Sequence, residues 1–191
     1  MDPATAMHIS GPSPITSQHS ACIALRHAAC GVAILMGASH AQAQTTPEAV
    51  MKAFADHCFS PFLTAAKAQA AFAGTGARVD FYDLDPFSDV APSPARNRAP
   101  TPGSNRRCEV AFAGDHTASA VDAVMAALHR EGIDETADVP PAYQSTPETA
   151  LLAARYLNPT RIAVVEVGTR RSPDGPETFM RVERLPEEGT Q

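Results

Sequence analysis

Four cysteines, seven histidines and a knot of aspartates are the groups in this 191-residue chain with reactive chemistry of their own. Cys58 and Cys108 lie 50 positions apart. A cysteine pair acts as a nucleophile only with a base beside it. His57 adjoins Cys58, but neighbours on a helix point about 100° apart, which is a poor geometry for proton transfer. Pairing of the two sulfurs is the expected alternative. Asp80, Asp83, Asp85 and Asp89 offer oxygen ligands of the kind hard cations take. The twelve-residue calcium loop pattern is missing from them, since neither its glycine nor its closing glutamate is in place. Asp83-Leu84-Asp85 also departs from the haloacid-dehalogenase pattern, because Pro86-Phe87 follows and the preceding strand is interrupted by Asp80. The expectation there is a solvated loop, with Asp83, Asp85 and His116 as the weak metal candidates. His57, His116 and His129 show neither a His-x3-His nor a Cys-x2-Cys spacing, so no closed transition-metal site is expected. No Gly-x-Ser-x-Gly elbow and no complete Gly-x-Gly-x-x-Gly loop occurs. No catalytic residue and no cofactor is therefore assigned. Arg96, Arg98, Arg106 and Arg107 form a local basic stretch in a chain of net charge −6. They are the candidate surface for an anionic ligand or an acidic partner.

The overall charge disfavours a nucleic-acid partner. No apolar run reaches about 18 residues, so no membrane-spanning helix is expected. Arg26 and His27 precede eleven apolar residues, 28–38, and then the tripeptide Ala41-Gln42-Ala43. A basic start, a short apolar core and a small-x-small site describe a secretory signal peptide cleaved after Ala43. Residues 25–43 form the signal proper. Residues 1–25 are too long and too irregular for its basic start, which suggests a translation start near Leu25. Export places the chain in the periplasm or outside the cell. Thirteen of the fifteen basic residues are Arg, a bias expected of a GC-rich bacterial genome. Two cysteines leave with the presequence, and the remaining Cys58 and Cys108 are expected to form a disulfide in an oxidising compartment.

The elements that must position these groups follow from start, stop and periodicity signals. Thr46-Pro47-Glu48 opens a helix to about Cys58. A second helix runs to Phe72 and stops at Gly74-Thr75-Gly76. Residues 77–84 and 106–114 read as strands, the latter with Cys108, Val110 and Phe112 on one face. Between them, residues 85–105 hold five prolines and form an exposed loop. Val121, Val124, Met125 and Leu128 define a helical stripe ended by Gly132. Thr146-Pro147-Glu148 repeats the helix start and predicts a helix to Asn158. Residues 162–169 and 178–185 are strands joined by the turn Ser172-Pro173-Asp174-Gly175. The order α(α)ββααββ predicts one α+β domain over 44–185, a four-stranded antiparallel sheet with helices on one face, and a flexible tail at 186–191. The recurrence of Thr-Pro-Glu suggests two αββ halves.

The Phe54-to-Cys58 helix and the strand Cys108-Glu109-Val110-Ala111-Phe112 resemble those of small exported bacterial proteins of unknown function. The resemblance covers about residues 47–131 and implies export without implying an activity. The functional expectation is a non-enzymatic, disulfide-stapled periplasmic domain that binds another protein, the envelope or a small ligand. A small hydrolase with a loop-built site near Asp83, Asp85 and His116 is the alternative.

Overall fold

The computed structural model describes residues 47–186. The expected signal peptide and most of the expected tail lie outside the described residues. Helix α1 spans Pro47–His57, with Pro47 at its first turn and Glu48 beside the positive end of the helix dipole. Helix α2 spans Ala65–Ala71, and Thr64 Oγ1 accepts a hydrogen bond from the Lys67 amide at 3.3 Å. Strands β1 (Arg78–Asp83) and β2 (Arg106–Ala113) follow, then helix α3 (Thr117–Arg130). Gly132, at φ +70°, lets the Ile133 amide turn back to the Leu128 carbonyl at 2.9 Å and so closes α3. The chain ends in β3 (Thr136–Ala137), β4 (Thr149–Asn158), β5 (Arg161–Ser172) and β6 (Gly175–Pro186).

The sheet has six strands in the order β1-β2-β6-β5-β4-β3, all antiparallel. This corrects the expected four-stranded sheet, and the fold remains α+β. The decisive difference is at 149–158, where a strand replaces the predicted helix. Leu151, Leu152, Tyr156 and Leu157 satisfy a helical stripe and a strand about equally well. What decides is the long β5, whose open edge needs a hydrogen-bonding partner. Asn158-Pro159-Thr160-Arg161 supplies a tight hairpin turn, in which Asn158 Oδ1 accepts from the Thr160 amide at 2.9 Å. Local helix propensity of a few tenths of a kcal/mol per residue is easily outweighed by such pairing. The duplication into two αββ halves falls with that helix. Thr-Pro-Glu at 146–148 introduces a strand, and Thr149 Oγ1 bonds the Thr146 amide at 3.1 Å instead of a helix forming. The two-residue β3, between α3 and Thr146, is the other strand absent from the four-stranded reading.

Directly opposed residues of an antiparallel pair share a face. On one face Phe81, Cys108, Val110, Phe112, Val165, Val167, Met180 and Val182 meet α1, α2 and α3 in the main core. Val124 and Leu128 of α3 are buried there together with Ala120 and Ala127. Met125 is 39 % exposed and lies off the stripe to which the periodicity assigned it. Cys58 and Cys108 are joined by a disulfide that ties the end of α1 to the middle of β2, Cα to Cα 5.6 Å. The bridge is buried at both ends.

Among the described residues the opposite face carries no helix. Segment 84–105 contributes one isolated bridge, Asp83 to Ser93, and otherwise irregular chain. It reaches over β2 through Arg98, Thr101 and Ser104, while Tyr143 covers the other side. Gly114 turns the chain from β2 into α3 at φ +93°, and a Cβ there would lie 2.6 Å from the His116 ring.

Candidate functional site

Residues alternate between faces along a strand, so neighbouring arginines are sent apart. Arg106 lies on the helix-covered face and Arg107 on the other. Arg107 is 1 % exposed, bonds the Glu183 carboxylate through Nε, and reaches Asp80 at 3.1 Å. Burial disfavours its charge, but Glu183 outweighs that and raises its pKa above the usual arginine value. Arg98 joins the same face by pairing with Glu109 and lies 3.5 Å from Asp80. Arg96 is exposed in the loop. The four arginines of the basic stretch are thus spread over two faces and a loop.

Asp83 and His116 are separated by the whole length of β2. Asp83 is registered with Arg106 at the start of that strand. His116 follows its end, stacked on Phe112, with its amide donating to Thr178 Oγ1 at 2.7 Å. Asp85 stays near Asp83 and pairs with Arg161 at 2.8 Å. Among the described residues no group of three or more His, Cys, Asp or Glu side chains is placed to hold a metal ion.

What the sheet does bring together is a row of charge at the foot of the apolar face. Asp83, Arg106, Arg184 and Ala163 oppose one another across β1, β2, β6 and β5. The row one step up is Phe81, Cys108, Val182 and Val165. The transition from an apolar to an arginine row occurs beneath a pocket of about 310 Å³. The disulfide at Cys58, Phe59, Val182 and Leu157 line its apolar part. Arg106, Arg161 and Arg184 line its polar part, and Phe87 comes in from the long loop.

Arg106 is 5 % exposed. Its Nη2 donates to the Ser60 carbonyl at 2.6 Å, its Nε lies 3.7 Å from Asp83 Oδ2, and its guanidinium sits over the Phe81 ring. A guanidinium has five N–H donors, so Arg106, which lines the pocket, holds donors in reserve. Burial disfavours its charge and pulls its pKa down to about 10. Arg184 is more fully engaged, with Asn105 Oδ1 and Asp83 Oδ1 each at 2.8 Å and the Asp85 carbonyl as a third acceptor. Burial lowers its pKa as well.

No family model, curated protein or solved structure matches this chain. The site is therefore read from its own chemistry. The buried sulfur in its wall is locked in a bridge, and guanidiniums do not release protons near neutral pH. The pocket is equipped to hold an anion against an apolar wall. Among the described residues no helix is long and apolar enough to cross a membrane.

The sequence reading found Arg106 and missed Arg161 and Arg184. The signal was present as phase. Met180, Val182 and Arg184 alternate on one face of β6, as do Arg106, Cys108 and Val110 on β2. In each case an arginine occupies the inward phase of an apolar alternation. Charge at an inward position at the end of a strand marks the border of the core.

Proposed function

We propose that this chain is an exported periplasmic domain that binds a small ligand without transforming it. The observation carrying this reading is the pocket at the foot of the sheet, walled by the Cys58–Cys108 disulfide and by Arg106, Arg161 and Arg184. A disulfide at the centre of the core fits an oxidising compartment, and the signal-peptide pattern at 25–43 supplies the route. The pocket volume lies at the lower bound for small-molecule sites. Its charged groups suit recognition rather than proton transfer.

Intact-mass analysis of the protein recovered from a bacterial periplasm tests the reading. The expected mass begins at Gln44 and rises by about 2 Da on reduction, the two hydrogens of an opened disulfide. A full-length chain with free thiols in the cytoplasm would overturn it.

A further inference from the structure

We propose that the pocket takes an organic monocarboxylate, its carboxylate held by Arg106 and Arg161 and its apolar body laid against the disulfide, Leu157 and Phe87. This rests on the binding-domain reading and names the ligand class.

Charge sets the head group. Arg106, Arg161 and Arg184 line the pocket. Asp83 meets Arg106 and Arg184, and Asp85 meets Arg161. Glu131 also lines the pocket but is answered by Arg130 at 3.5 Å. Three guanidiniums against two carboxylates leave one uncompensated positive charge. A ligand with one negative charge closes that balance, whereas a dianion leaves an excess of its own. The donors point the same way. Among the described residues the Arg106 guanidinium makes a single hydrogen bond, to the Ser60 carbonyl, and Asp83 Oδ2 receives none. Arg161, with its side chain 29 % exposed, stands at the solvent side of the pocket with its one ion pair to Asp85. A carboxylate is the planar acceptor that matches guanidinium donors.

Size and surface set the body. A volume of about 310 Å³ holds on the order of ten non-hydrogen atoms, taking about 30 Å³ of liquid for each water-sized group. At the mouth, Phe87 is 65 % exposed and stacks edge-to-face on Phe62, itself 56 % exposed, with centroids 5.7 Å apart. Large aromatics left in water beside a pocket extend its apolar wall outward. An acid with an aliphatic or aromatic body covers them while its head reaches Arg106.

Octanoate has the required size, and isothermal titration of it into the oxidised protein recovered from the periplasm tests the proposal. Octan-1-ol and octyl phosphate serve as the uncharged and dianionic comparisons. Octanoate is expected to bind about tenfold or more tightly than octanol, the usual yield of a hydrogen bond to a charged group, and no more weakly than octyl phosphate. Arg106 is buried against Asp83, so its removal risks the fold. Arg161→Met is the cleaner variant and is expected to lose about tenfold for octanoate with an unchanged melting temperature. Phe87→Ala is expected to weaken octanoate and octanol alike. Equal binding of octanol and octanoate would overturn the carboxylate assignment and leave the binding-domain reading standing. Tighter binding of octyl phosphate would overturn the single-charge argument. Full octanoate affinity in Arg161→Met would overturn the placement of the head group. No binding by any of the three probes would overturn this proposal and the binding role together.

Discussion

Val110 and Arg107 belong to one strand and both are buried, yet they face two different kinds of interior. The side beneath α1, α2 and α3 is filled by aliphatic and aromatic groups. The side beneath the irregular segments is divided: a small apolar cluster of Ala154, Ile162, Val164 and Leu185 lies under Tyr143, and buried charge runs across β1, β2 and β6 beside it. Glu109, Glu177 and Glu183 are at most 3 % exposed, and each is met by arginine. Glu183 gathers Arg107, Thr101 and the Tyr143 hydroxyl. Burial, reinforced by the adjacent Glu183, raises the pKa of Tyr143 and keeps it a donor. A helix presents an apolar stripe and can cover a sheet with it. Segment 84–105 has little apolar material, so it covers its face by polar contacts instead. The difference teaches that the type of cover dictates the chemistry of the strand face beneath it. Apolar burial supplies about 25 cal/mol per Å², while a buried ion pair returns little beyond its own desolvation. The first face supplies stability, and the second fixes where the long segments lie.

Four changes break or sharpen this contrast. The largest effect is expected from Val124→Asp, which places an unpaired charge at a fully buried position of α3. That variant should show no cooperative thermal transition by circular dichroism. Replacing Cys58 and Cys108 together by Ala removes a tie across 50 positions. The loss should be about 4 kcal/mol from the chain entropy of so long a loop, read as a shift of the urea midpoint. On the ionic face, Glu183→Ala strands Arg107 and should destabilise by about 3 kcal/mol, the lower end for a broken buried pair, because Asp80 remains 3.1 Å away. The double replacement Glu183→Leu with Arg107→Met should recover most of that loss. An equally damaging double variant would mean that the ionic face itself drives folding. The smallest effect concerns pH. Burial opposes ionisation of Glu109 and Glu177, but bonds to Arg98, Arg170 and Arg78 win and hold both below the usual glutamate value. A depressed folded pKa gives stability that is present above the unfolded value, about 4.3, and lost as pH falls through the folded one. Denaturant midpoints should therefore fall below about pH 5. The decline should be gentle at Glu177, whose partners Arg78 and Arg170 are 63 % and 37 % exposed.

The apolar face was the legible one. Alternation on β2 and the stripe of α3 located part of it, β5 and β6 were legible as strands, and the pair Cys58 and Cys108 located the disulfide. The ionic face was not legible, because Glu109, Glu177 and Glu183 on an outward phase read as solvent-facing positions. Their burial depends on where segments 84–105 and 138–148 settle, which periodicity does not encode. The pocket was half legible for a related reason. Arg106 was visible in a basic run, whereas Arg161 and Arg184 join it only through a register that aligns residues about 55 and 78 positions away. The error at β4 has another origin. Its residues suit either structure, and the choice is made by a neighbouring strand.

That same strand governs how the molecule behaves in company. Among the described residues the sheet continues beyond β4 only as the two residues of β3, opposite Ala154 and Arg155. Among the described residues, 149–153 have no strand on their outer side. A straight, open rim of amides and carbonyls is a template on which a second copy can add itself, strand to strand, and start a fibre. The rim here is not straight. The register with β5 slips between Thr149 and Leu151 and again between Tyr156 and Asn158, and each slip bends and twists the strand. With Pro147 just before it and Pro159 just after, and neither able to donate a backbone hydrogen bond, the strand is finished at both ends. A feature that reads as irregular pairing inside one molecule acts between molecules as a brake on polymerisation.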